Sequence, residues 1–593
     1  MPSPCYDHPC RVILLLDLDC FYAQCERVRL GLENATTSLA LLQWNSVLAV
    51  TYPARELFDI KRGDSWDQVQ AKSNGQCLAI HLPLLTELKA EGRAASTDDT
   101  VEAAYEQVFQ LSHEERQRVL TREVGRRRQN SEGKACLERY RLASTRIFGV
   151  VLQALEERLS QQFILERASI DELFIDVTDY CWEDSYSRTV EESGKIRHIM
   201  RQTCLVAHDN NCSQDDDPRV VQALHRGAWV ASEIRAAVFD QLGFTISAGI
   251  STSKLTAKLG ASYGKPNGQA LIVPSRIPAV MAATMISKCR NLGGKIGKIV
   301  CRMLPGGEKE TMGSVSQHLS LPMLVQELGP SSAQLVFDAA RGMDSEPVKS
   351  TQNALVKSIT SFKSFPRARV DGIDPWLRLL AADIVRRVET DSHRNHRLPK
   401  SCTVHYNYSQ ETITRTSRSL RIVFPRDNNA SRRIDSLVQR TKSEIVSKEG
   451  ENIWLYRVGL CAMNFEMQSF VGGISSFFKT THSPDGKASV MTARSIPITG
   501  SLGSPELSNS SSNADGDEQL ALKLQKQYDC DKQGESVKMA PRTGPEEPVD
   551  RDLELARKLQ QQYDREHNVL AILDQRPKKR KKIDSFFTQF RTK

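Results

Sequence analysis

Two short apolar segments, each next to acidic residues, constrain the fold of this chain more than any other feature. The first runs into Asp17 and Asp19, and the second directly follows Asp171 and Glu172. A continuous apolar run is typical of a strand buried on both faces. Adjacent residues of a strand point to opposite faces, so Asp171 and Glu172 can converge only where the chain bends at a strand end. The sequence therefore predicts carboxylates at the rim of a buried sheet.

Such a cluster of carboxylates predicts a metal site. Like charges raise each other's pKa, and a divalent cation removes that cost. Oxygen ligands suit Mg²⁺, and two Mg²⁺ ions are the equipment for in-line phosphoryl or nucleotidyl transfer. We therefore predict that Asp17, Asp171 and Glu172 hold two ions. The simpler alternatives are an ordinary turn or solvated surface at Asp171-Glu172, and an Asp17 that only caps the next helix.

Several further motifs follow in a fixed order along roughly the first 470 residues. In this order they resemble the Y-family translesion DNA polymerases, and within that family the eta branch. The motifs are Asp17-Leu-Asp-Cys-Phe-Tyr22, Gln43-Trp-Asn45, Tyr52-Pro-Ala-Arg55, Ser169-Ile-Asp-Glu172, Ser247-Ala-Gly-Ile-Ser251, Lys265-Pro-Asn-Gly268, Leu292-Gly-Gly-Lys-Ile-Gly297 and Ser358-Ile-Thr-Ser-Phe-Lys-Ser-Phe-Pro366.

The resemblance implies a multidomain α/β and α+β fold, in which palm, fingers and thumb form a right hand and a little finger is added. The expected boundaries are 1–19 and 85–272 for the palm, 20–84 for the fingers, 273–348 for a thumb with a helix-hairpin-helix, 354–466 for the little finger, and 470–593 for a disordered tail.

Local patterns predict individual elements within these regions. A hairpin is expected around Trp44-Asn45, and a helix over Ala228–Phe239. The charged segment Arg122–Lys134 is predicted to be an exposed loop, and 181–217 an irregular stretch. Residues 354–466 are predicted to run strand-helix-strand-strand-helix-strand.

By resemblance, the activity would be template-directed addition of a deoxynucleotide to a primer 3′-OH. The carbonyl of Leu18 would join the three carboxylates as a metal ligand, with Mn²⁺ as the alternative ion. Strand alternation alone would put Asp19 on the same side as Asp17, and the resemblance selects Asp17.

The resemblance also assigns a nucleotide pocket. Tyr22 would exclude a 2′-OH, Gln43 would contact the templating base, and either Lys61 or Arg62 would lie over the incoming base. We prefer Arg62, because an arginine can stack on a base. The complete set of predicted nucleotide-binding residues is Cys20, Phe21, Tyr22, Gln43, Tyr52, Arg55, Lys61, Arg62 and Lys265.

The net charge of +8 is concentrated in one segment, since residues 351–470 contain 20 Lys and Arg against 12 Asp and Glu. In a nucleic-acid enzyme such a segment indicates phosphate-backbone contacts, although a basic solvated surface would look the same. Arg418 and Arg421 are the predicted contacts there. Gly293, Gly294 and Gly297 would let backbone N–H groups approach a phosphate, with an ordinary helix C-cap as the alternative.

The tail beyond residue 470 is polar and predicted to be disordered. Two similar segments resemble ubiquitin-interacting helices, or alternatively generic amphipathic helices, with contacts at Leu520, Ala521, Leu555 and Ala556. Two others resemble sliding-clamp docking motifs, with contacts at Ile474, Phe477, Phe478, Ile583, Phe586 and Phe587. The basic run 576–582 predicts nuclear import. Expected partners are thus primer-template DNA, deoxynucleoside triphosphates, the clamp and ubiquitin or a ubiquitinated clamp.

Three other functions stay open at this point. One is a polymerase of the iota or kappa branch, and another is a catalytically silent DNA-repair scaffold. The third is a phosphoryl-transfer enzyme acting on free nucleotides. No apolar run reaches the length of a membrane span, so no membrane partner is expected.

Overall fold

The computed structural model describes residues 8–85, 101–160, 162–183, 190–206, 216–351, 355–410 and 415–468. The sequence predictions for the tail lie outside these residues. They comprise both clamp-docking motifs, both segments that resemble ubiquitin-interacting helices, and the import signal. Among the described helices, none has the length and apolar character needed to cross a membrane.

The first part of the chain builds a small three-stranded sheet beside the first strand of a larger one. Its elements are β1 Ile13–Leu18, α1 Phe21–Arg29, β2 Leu39–Gln43, β3 Ser46–Val50, α2 Tyr52–Phe58, α3 Trp66–Ser73 and β4 Leu78–His81. The small sheet has the order β3-β2-β4. β2 and β3 pair antiparallel around Trp44, whose φ of 57° makes the tight reversal, so the hairpin prediction is confirmed.

The next part completes a six-stranded sheet covered by helices. Its elements are α4 Val101–Phe109, α5 His113–Glu123, α6 Glu138–Leu159, β5 Ile164–Arg167, β6 Glu172–Asp176, α7 Thr178–Trp182, α8 Val190–Gln202, β7 Cys204–Leu205, α9 Pro218–Leu242, β8 Ile246–Ser251, α10 Lys254–Tyr263 and β9 Gln269–Leu271. The strand order is β5-β6-β1-β8-β9-β7.

β1 lies in the middle of this sheet and pairs antiparallel with both β6 and β8. Its residues Ile13 to Leu16 are completely buried, because α6 and α9 cover one face and α10 the other. The continuous apolar run thus has the two-sided burial expected from the sequence.

A helical region follows, with α11 Ile277–Ala283, α12 Lys295–Arg302, α13 Met312–His318, α14 Leu321–Leu328 and α15 Pro330–Ala340. These helices share a core of their own. Residues 343–351 then return along β5: the N–H of Thr351 donates to the Leu165 carbonyl, and Thr351 Oγ1 accepts from the Arg167 N–H. This segment covers what would otherwise be the open edge of the large sheet.

The last part is a four-stranded antiparallel sheet backed by two helices. Its elements are β10 Ser358–Arg369, α16 Asp374–Asn395, β11 Arg397–Ser409, β12 Thr416–Val423, α17 Ala430–Glu449 and β13 Trp454–Met467. The sheet order is β10-β13-β11-β12. The predicted order of strands and helices is confirmed, as is the mixed α/β and α+β fold class.

Three local predictions need correction. The stretch 181–217 is not irregular throughout, because α8 spans thirteen of its residues. The predicted helix Ala228–Phe239 is the second half of α9, which begins at Pro218 after an Asp217 cap. The segment Arg122–Lys134 is not simply an exposed loop, because Asn130, Gly133 and Lys134 contact the four-stranded sheet domain.

Candidate active site

The carboxylates predicted from the sequence meet where β1 ends and β6 begins. Asp17 lies directly opposite Glu172 in the antiparallel register of these strands. Opposed residues of an antiparallel pair leave the same face of the sheet. The chain bends just before β6, and the N–H of Leu18 donates to the Asp171 carbonyl at 2.9 Å. This bend brings Asp171 to the same rim as its neighbour Glu172.

Two lysines neutralise these carboxylates. Lys265 Nζ lies 2.6 Å from Asp17 Oδ1, and Lys258 Nζ lies 2.7 Å from Glu172 Oε1. Among the described residues, no three His, Cys, Asp or Glu side chains already enclose a position for a metal ion. The carboxylates are paired with ammonium groups instead.

Asp171 is the least stabilised of the three carboxylates. Burial raises its pKa, and the charges of Asp17 and Glu172 raise it further, against the lowering effect of the Ser169 hydroxyl. Ser169 Oγ donates to Asp171 Oδ1 at 2.5 Å. A divalent cation would remove the like-charge cost, and all the donors are oxygens, so the residues fit a hard divalent ion.

Asp19 follows Asp17 by two residues but has hydrogen-bond partners of its own. Its side chain is 2% exposed. Ser247 Oγ donates to Asp19 Oδ1 at 2.6 Å, and the N–H of Asn267 donates to Asp19 Oδ2 at 2.9 Å. Asp19 therefore anchors the loop that carries Lys265. This finding agrees with the choice of Asp17 over Asp19 as the candidate metal ligand.

Tyr22 is the second residue of α1, the helix that begins directly after the left-handed residue Cys20. Its ring meets Tyr140 of α6 edge-on at 4.9 Å. Burial raises the pKa of Tyr22; the charge of Asp171 raises it as well, whereas Arg62 lowers it. The tyrosine is thus close to the carboxylate rim and to Arg62. Phe21, its neighbour, is buried in the main core.

Three predicted nucleotide-binding side chains come together beside Asp19. The guanidinium of Arg55 lies 4.9 Å from the centre of the Tyr52 ring, and its Nε donates to the Val50 carbonyl. Burial raises the pKa of Tyr52, and the Lys265 charge opposes that rise. Tyr52, Arg55 and Lys265 therefore form one cationic cluster with an aromatic hydroxyl.

Lys61 and Arg62 differ in their surroundings. The ammonium of Lys61 pairs with Asp59 at 3.2 Å on an exposed surface. Arg62 instead acts on Tyr22, as described above. This difference supports the preference for Arg62. Gln43 ends β2, opposite Ser46, one residue before the hairpin turn.

The glycine turn is built around a close backbone approach. A Cβ on Gly297 would lie 1.7 Å from the Leu292 carbonyl oxygen, so no other residue fits there. Gly294 precedes α12, and a Cβ on it would meet nothing within 4 Å. Gly293, which directly precedes Gly294, is partly buried. The turn thus begins a helix, which contradicts the alternative of a helix C-cap.

The two predicted DNA-binding arginines of β12 do not share a face. Arg418 lies on the same side as the buried Leu420, and its guanidinium pairs with Glu449 at 3.3 Å. Arg421 is exposed on the opposite face of the strand. The sequence prediction grouped the two arginines as one pair of DNA contacts, but strand alternation separates them.

Sequence reasoning assigned no role to Lys258, Ser169 or Tyr140. Lys258 lies seven residues before Lys265, and that spacing could have indicated a second ammonium on the same side of the site. Ser169 is part of the Ser-Ile-Asp-Glu motif itself. Tyr140 carries no local signal, because its contact with Tyr22 joins residues that are far apart in sequence.

Comparisons with known proteins agree with this geometry. The chain matches the impB/mucB/samB family over residues 16–262 and the C-terminal domain of the same family over residues 356–472. It is 27% identical to DNA polymerase eta of Drosophila melanogaster over 464 residues, covering 69% of this chain and 45% of that protein. It is 26% identical to DNA polymerase eta of Arabidopsis thaliana over 416 residues, covering 67% and 52%.

A third relative is the N-acetyltransferase eso1 of Schizosaccharomyces pombe, 26% identical over 401 residues, which cover 64% of this chain and 40% of that protein. The chain spans about half the length of the curated relatives it matches. Membership of the family implies a divalent metal cofactor. With both of its domains matched in order, the chain belongs to the impB/mucB/samB family, the Y family of DNA polymerases, and within it is similar to DNA polymerase eta.

Proposed function

We propose that this protein is a template-directed DNA polymerase for synthesis past damaged bases such as ultraviolet photoproducts. The observation that carries the proposal is the position of Lys265. Its ammonium contacts Asp17 at the carboxylate rim and belongs to the same cluster as Tyr52 and Arg55. A site with carboxylates on one side and cations on the other suits a metal-bound triphosphate.

Each side chain has a distinct part in this proposal. Arg55 and Lys265 bind triphosphate oxygens, and Tyr52 donates its hydroxyl to them. Tyr22, held edge-on by Tyr140, lies below the sugar and leaves no room for a 2′-OH. Arg62 stacks on the incoming base, and Gln43 contacts the templating base.

Asp17, Asp171 and Glu172, with the Leu18 carbonyl, would hold two Mg²⁺ ions, or Mn²⁺ in their place. When bound, such ions lower the pKa of the primer hydroxyl and stabilise the leaving pyrophosphate. Lys258 and Lys265 would then exchange their carboxylate partners for phosphate oxygens or solvent. Ser169 keeps Asp171 oriented throughout, through its 2.5 Å hydrogen bond.

DNA would be bound by the basic four-stranded sheet domain and by the glycine turn before α12. Arg421 is the better phosphate contact of the two arginines, because Arg418 is already paired with Glu449. The turn supplies backbone N–H groups for a phosphate, since Gly294 leaves open space above them.

The tail would recruit the enzyme to DNA by binding partner proteins. Phe477, Phe478, Phe586 and Phe587 suit a pocket on the sliding clamp, because exposed aromatic pairs in a polar segment need a partner. The segments around Ala521 and Ala556 suit ubiquitin or a ubiquitinated clamp, by their resemblance to ubiquitin-interacting sequences. The run 576–582 suits nuclear import, which supports a proposed activity in the nucleus.

Primer extension by the full chain across a template thymine dimer tests the proposed function. We expect incorporation opposite both thymines, dependent on a divalent cation and on a paired primer. Tight DNA binding without any extension would instead support a silent scaffold. Turnover of free nucleotides without DNA would support the phosphoryl-transfer alternative. Extension that stops at the dimer but passes minor-groove adducts would indicate the kappa branch.

A further inference from the structure

Lys363 is a buried lysine on β10, far from the carboxylate rim, whose side chain no part of the proposed reaction uses. The residue is 5% exposed. Its ammonium donates to the carbonyl and side-chain oxygens of Asn130, both at 2.5 Å, and to the Gly133 carbonyl at 2.6 Å. In return, Asn130 Nδ2 donates to the Ser364 carbonyl at 3.0 Å. Two domains that are over 200 residues apart in sequence therefore meet at this ammonium.

The same ammonium lies between two tryptophan rings. It is 4.9 Å from the centre of the Trp44 ring and 4.5 Å from that of Trp376. A cation over a tryptophan face is attracted by the ring, more strongly when both are removed from water. Burial, with the nearby charge of Lys134, lowers the pKa of Lys363 to about 8, which still leaves the group charged at neutral pH.

Trp44 connects this ammonium to the small sheet. It forms the turn between β2 and β3 and directly follows Gln43. The backbone N–H of Trp44 donates to His81 Nε2 at 2.6 Å, and His81 Nδ1 forms a hydrogen bond with the Leu82 carbonyl at 2.7 Å. The backbone of the turn is thus held by His81 of β4, while the ring of Trp44 contacts Lys363 of the four-stranded sheet domain.

Other contacts join the same two domains without reaching the hairpin. Lys134 Nζ pairs with Asp383 at 3.0 Å, and Arg386 pairs with Glu138 at 3.1 Å. These ion pairs hold α16 to the start of α6 and to the segment that precedes it. Lys363 differs from them because it also contacts Trp44.

We propose that Lys363 is a positioning residue that couples docking of the four-stranded sheet domain to the position of the β2–β3 hairpin, and so to the position of Gln43. A lysine suits this place because its three ammonium protons match the three oxygen acceptors. Its positive charge is at the same time attracted by the two rings. The consequence for nucleotide selection rests on the proposed function; the coupling itself does not.

Hydrogen exchange of the full chain without DNA tests the coupling. Lys363→Met removes the ammonium and keeps an apolar stem of similar length, whereas Lys134→Met breaks an ion pair of the same interface without touching Trp44. We expect Lys363→Met to speed exchange both at 39–50 and at 129–134. Lys134→Met should speed it at 129–134 only. Equal exchange at 39–50 in the two variants would overturn the proposal.

Trp44→Leu tests the same contact from the hairpin side, and its single-variant result does not require that Lys363→Met folds. It should loosen the hairpin alone, and combining it with Lys363→Met should add nothing further at 39–50. Additive effects at 39–50 would show that Lys363 and Trp44 act separately, against the proposal.

Steady-state incorporation provides the functional readout. Lys363→Met should raise KM for the correct nucleotide roughly fivefold to tenfold, as expected for loss of a desolvated cation–aromatic contact, and change kcat far less. Lys134→Met should leave KM unchanged. An unchanged KM in Lys363→Met, with a loosened hairpin, would confine the coupling to structure and refute its role in selection. A wild-type chain without any incorporation would refute the proposed function, while the exchange result would still decide the coupling.

Discussion

Asp17 of β1 lies directly opposite Glu172 of β6, and each carboxylate is paired with a lysine from one stretch of chain, Lys265 and Lys258 respectively. The strand register fixes the spacing of the two carboxylates, so their convergence does not depend on loop conformation. The lysines come from α10 and the loop after it. A cation entering the rim must therefore compete with two ammonium groups, and a triphosphate arriving with it would give those groups new partners.

Removing two of the carboxylates should separate chemistry from DNA binding. Asp171→Ala combined with Glu172→Ala should abolish primer extension, because these are two of the four residues proposed to ligate the metal ions at the rim. Affinity for primer-template DNA, measured by gel shift, should stay within about twofold, since the proposed DNA contacts lie mainly in the basic segment. Extension above a few per cent of wild type would contradict the metal assignment.

Tyr22→Ala should admit ribonucleotides, since it removes the ring proposed to lie below the sugar. The measurement is the ratio of ribonucleotide to deoxynucleotide incorporation, which we expect to rise by at least about tenfold, the factor of 1.4 kcal/mol. Tyr22→Phe is the matched control, because it keeps the ring and its edge-on contact with Tyr140. If both variants leave the ratio unchanged, Tyr22 is only part of the palm core.

The parts of the site that the sequence predicted are those set by local pattern. The apolar run before Asp17 required a buried strand, and the adjacent Asp171-Glu172 pair required a bend at a strand end, as the structure has it. The hairpin at Trp44 followed from two apolar strands around a short polar turn. In each case the physical constraint acts within about ten residues of the chain.

The parts that escaped prediction depend on long-range pairing. The segment 122–134 has the composition of a solvated loop, and its contacts with Lys363 and Asp383 make it an interface. Arg418 and Arg421 looked equivalent because composition does not reveal which face of a strand is covered. Asp19 and Asp17 looked equivalent for the same reason. Helix α8 was missed because Gly194 and a polar first turn weaken its pattern.

Glu26 of α1 should make the fold sensitive to acid. Burial alone would raise its pKa, but the charges of Arg139 and Arg29 lower that pKa to about 2. Because the folded-state pKa lies below the usual value, the carboxylate contributes about 3 kcal/mol above pH 5 and loses it between about pH 4.5 and 2. Glu26→Gln should unfold thermally at a lower midpoint than wild type at pH 7. Its midpoint should also fall less than that of wild type as the pH is lowered.

The exposed Glu114 gives a control for this measurement, because its side chain is 80% exposed in an ion pair with Arg118 on α5. Glu114→Gln should match wild type at every pH. If Glu26→Gln also retains the full acid dependence, other carboxylates must account for it.

The tail should affect recruitment without altering the chemistry. Phe586→Ala with Phe587→Ala removes apolar surface whose burial contributes roughly 3–6 kcal/mol before ordering costs. Because the segment at Ile474–Phe478 could mask the loss, Phe477→Ala and Phe478→Ala are added in the same chain. Clamp-stimulated synthesis should then fall to the unstimulated rate, with nuclear import retained through 576–582. Full stimulation of this quadruple variant would refute docking at both segments.

Asp19→Asn should weaken nucleotide binding although Asp19 touches no nucleotide. Its Oδ2 accepts from the Asn267 N–H, and the chain at Asn267 is also held by Arg235 through the Asn267 carbonyl at 2.6 Å. An amide can keep its oxygen on the Asn267 N–H and donate its NH₂ to the Ser247 hydroxyl, so the bond to Asn267 is retained but no longer made to a charged group. The loop carrying Lys265 should therefore be held less firmly. We expect KM for the nucleotide to rise about tenfold, the effect of losing one hydrogen bond to a charged group, with kcat changed less. Asp19→Glu, which keeps the charge but lengthens the side chain, should also raise KM. A fall in kcat alone, at constant KM, would instead identify Asp19 as part of the carboxylate rim.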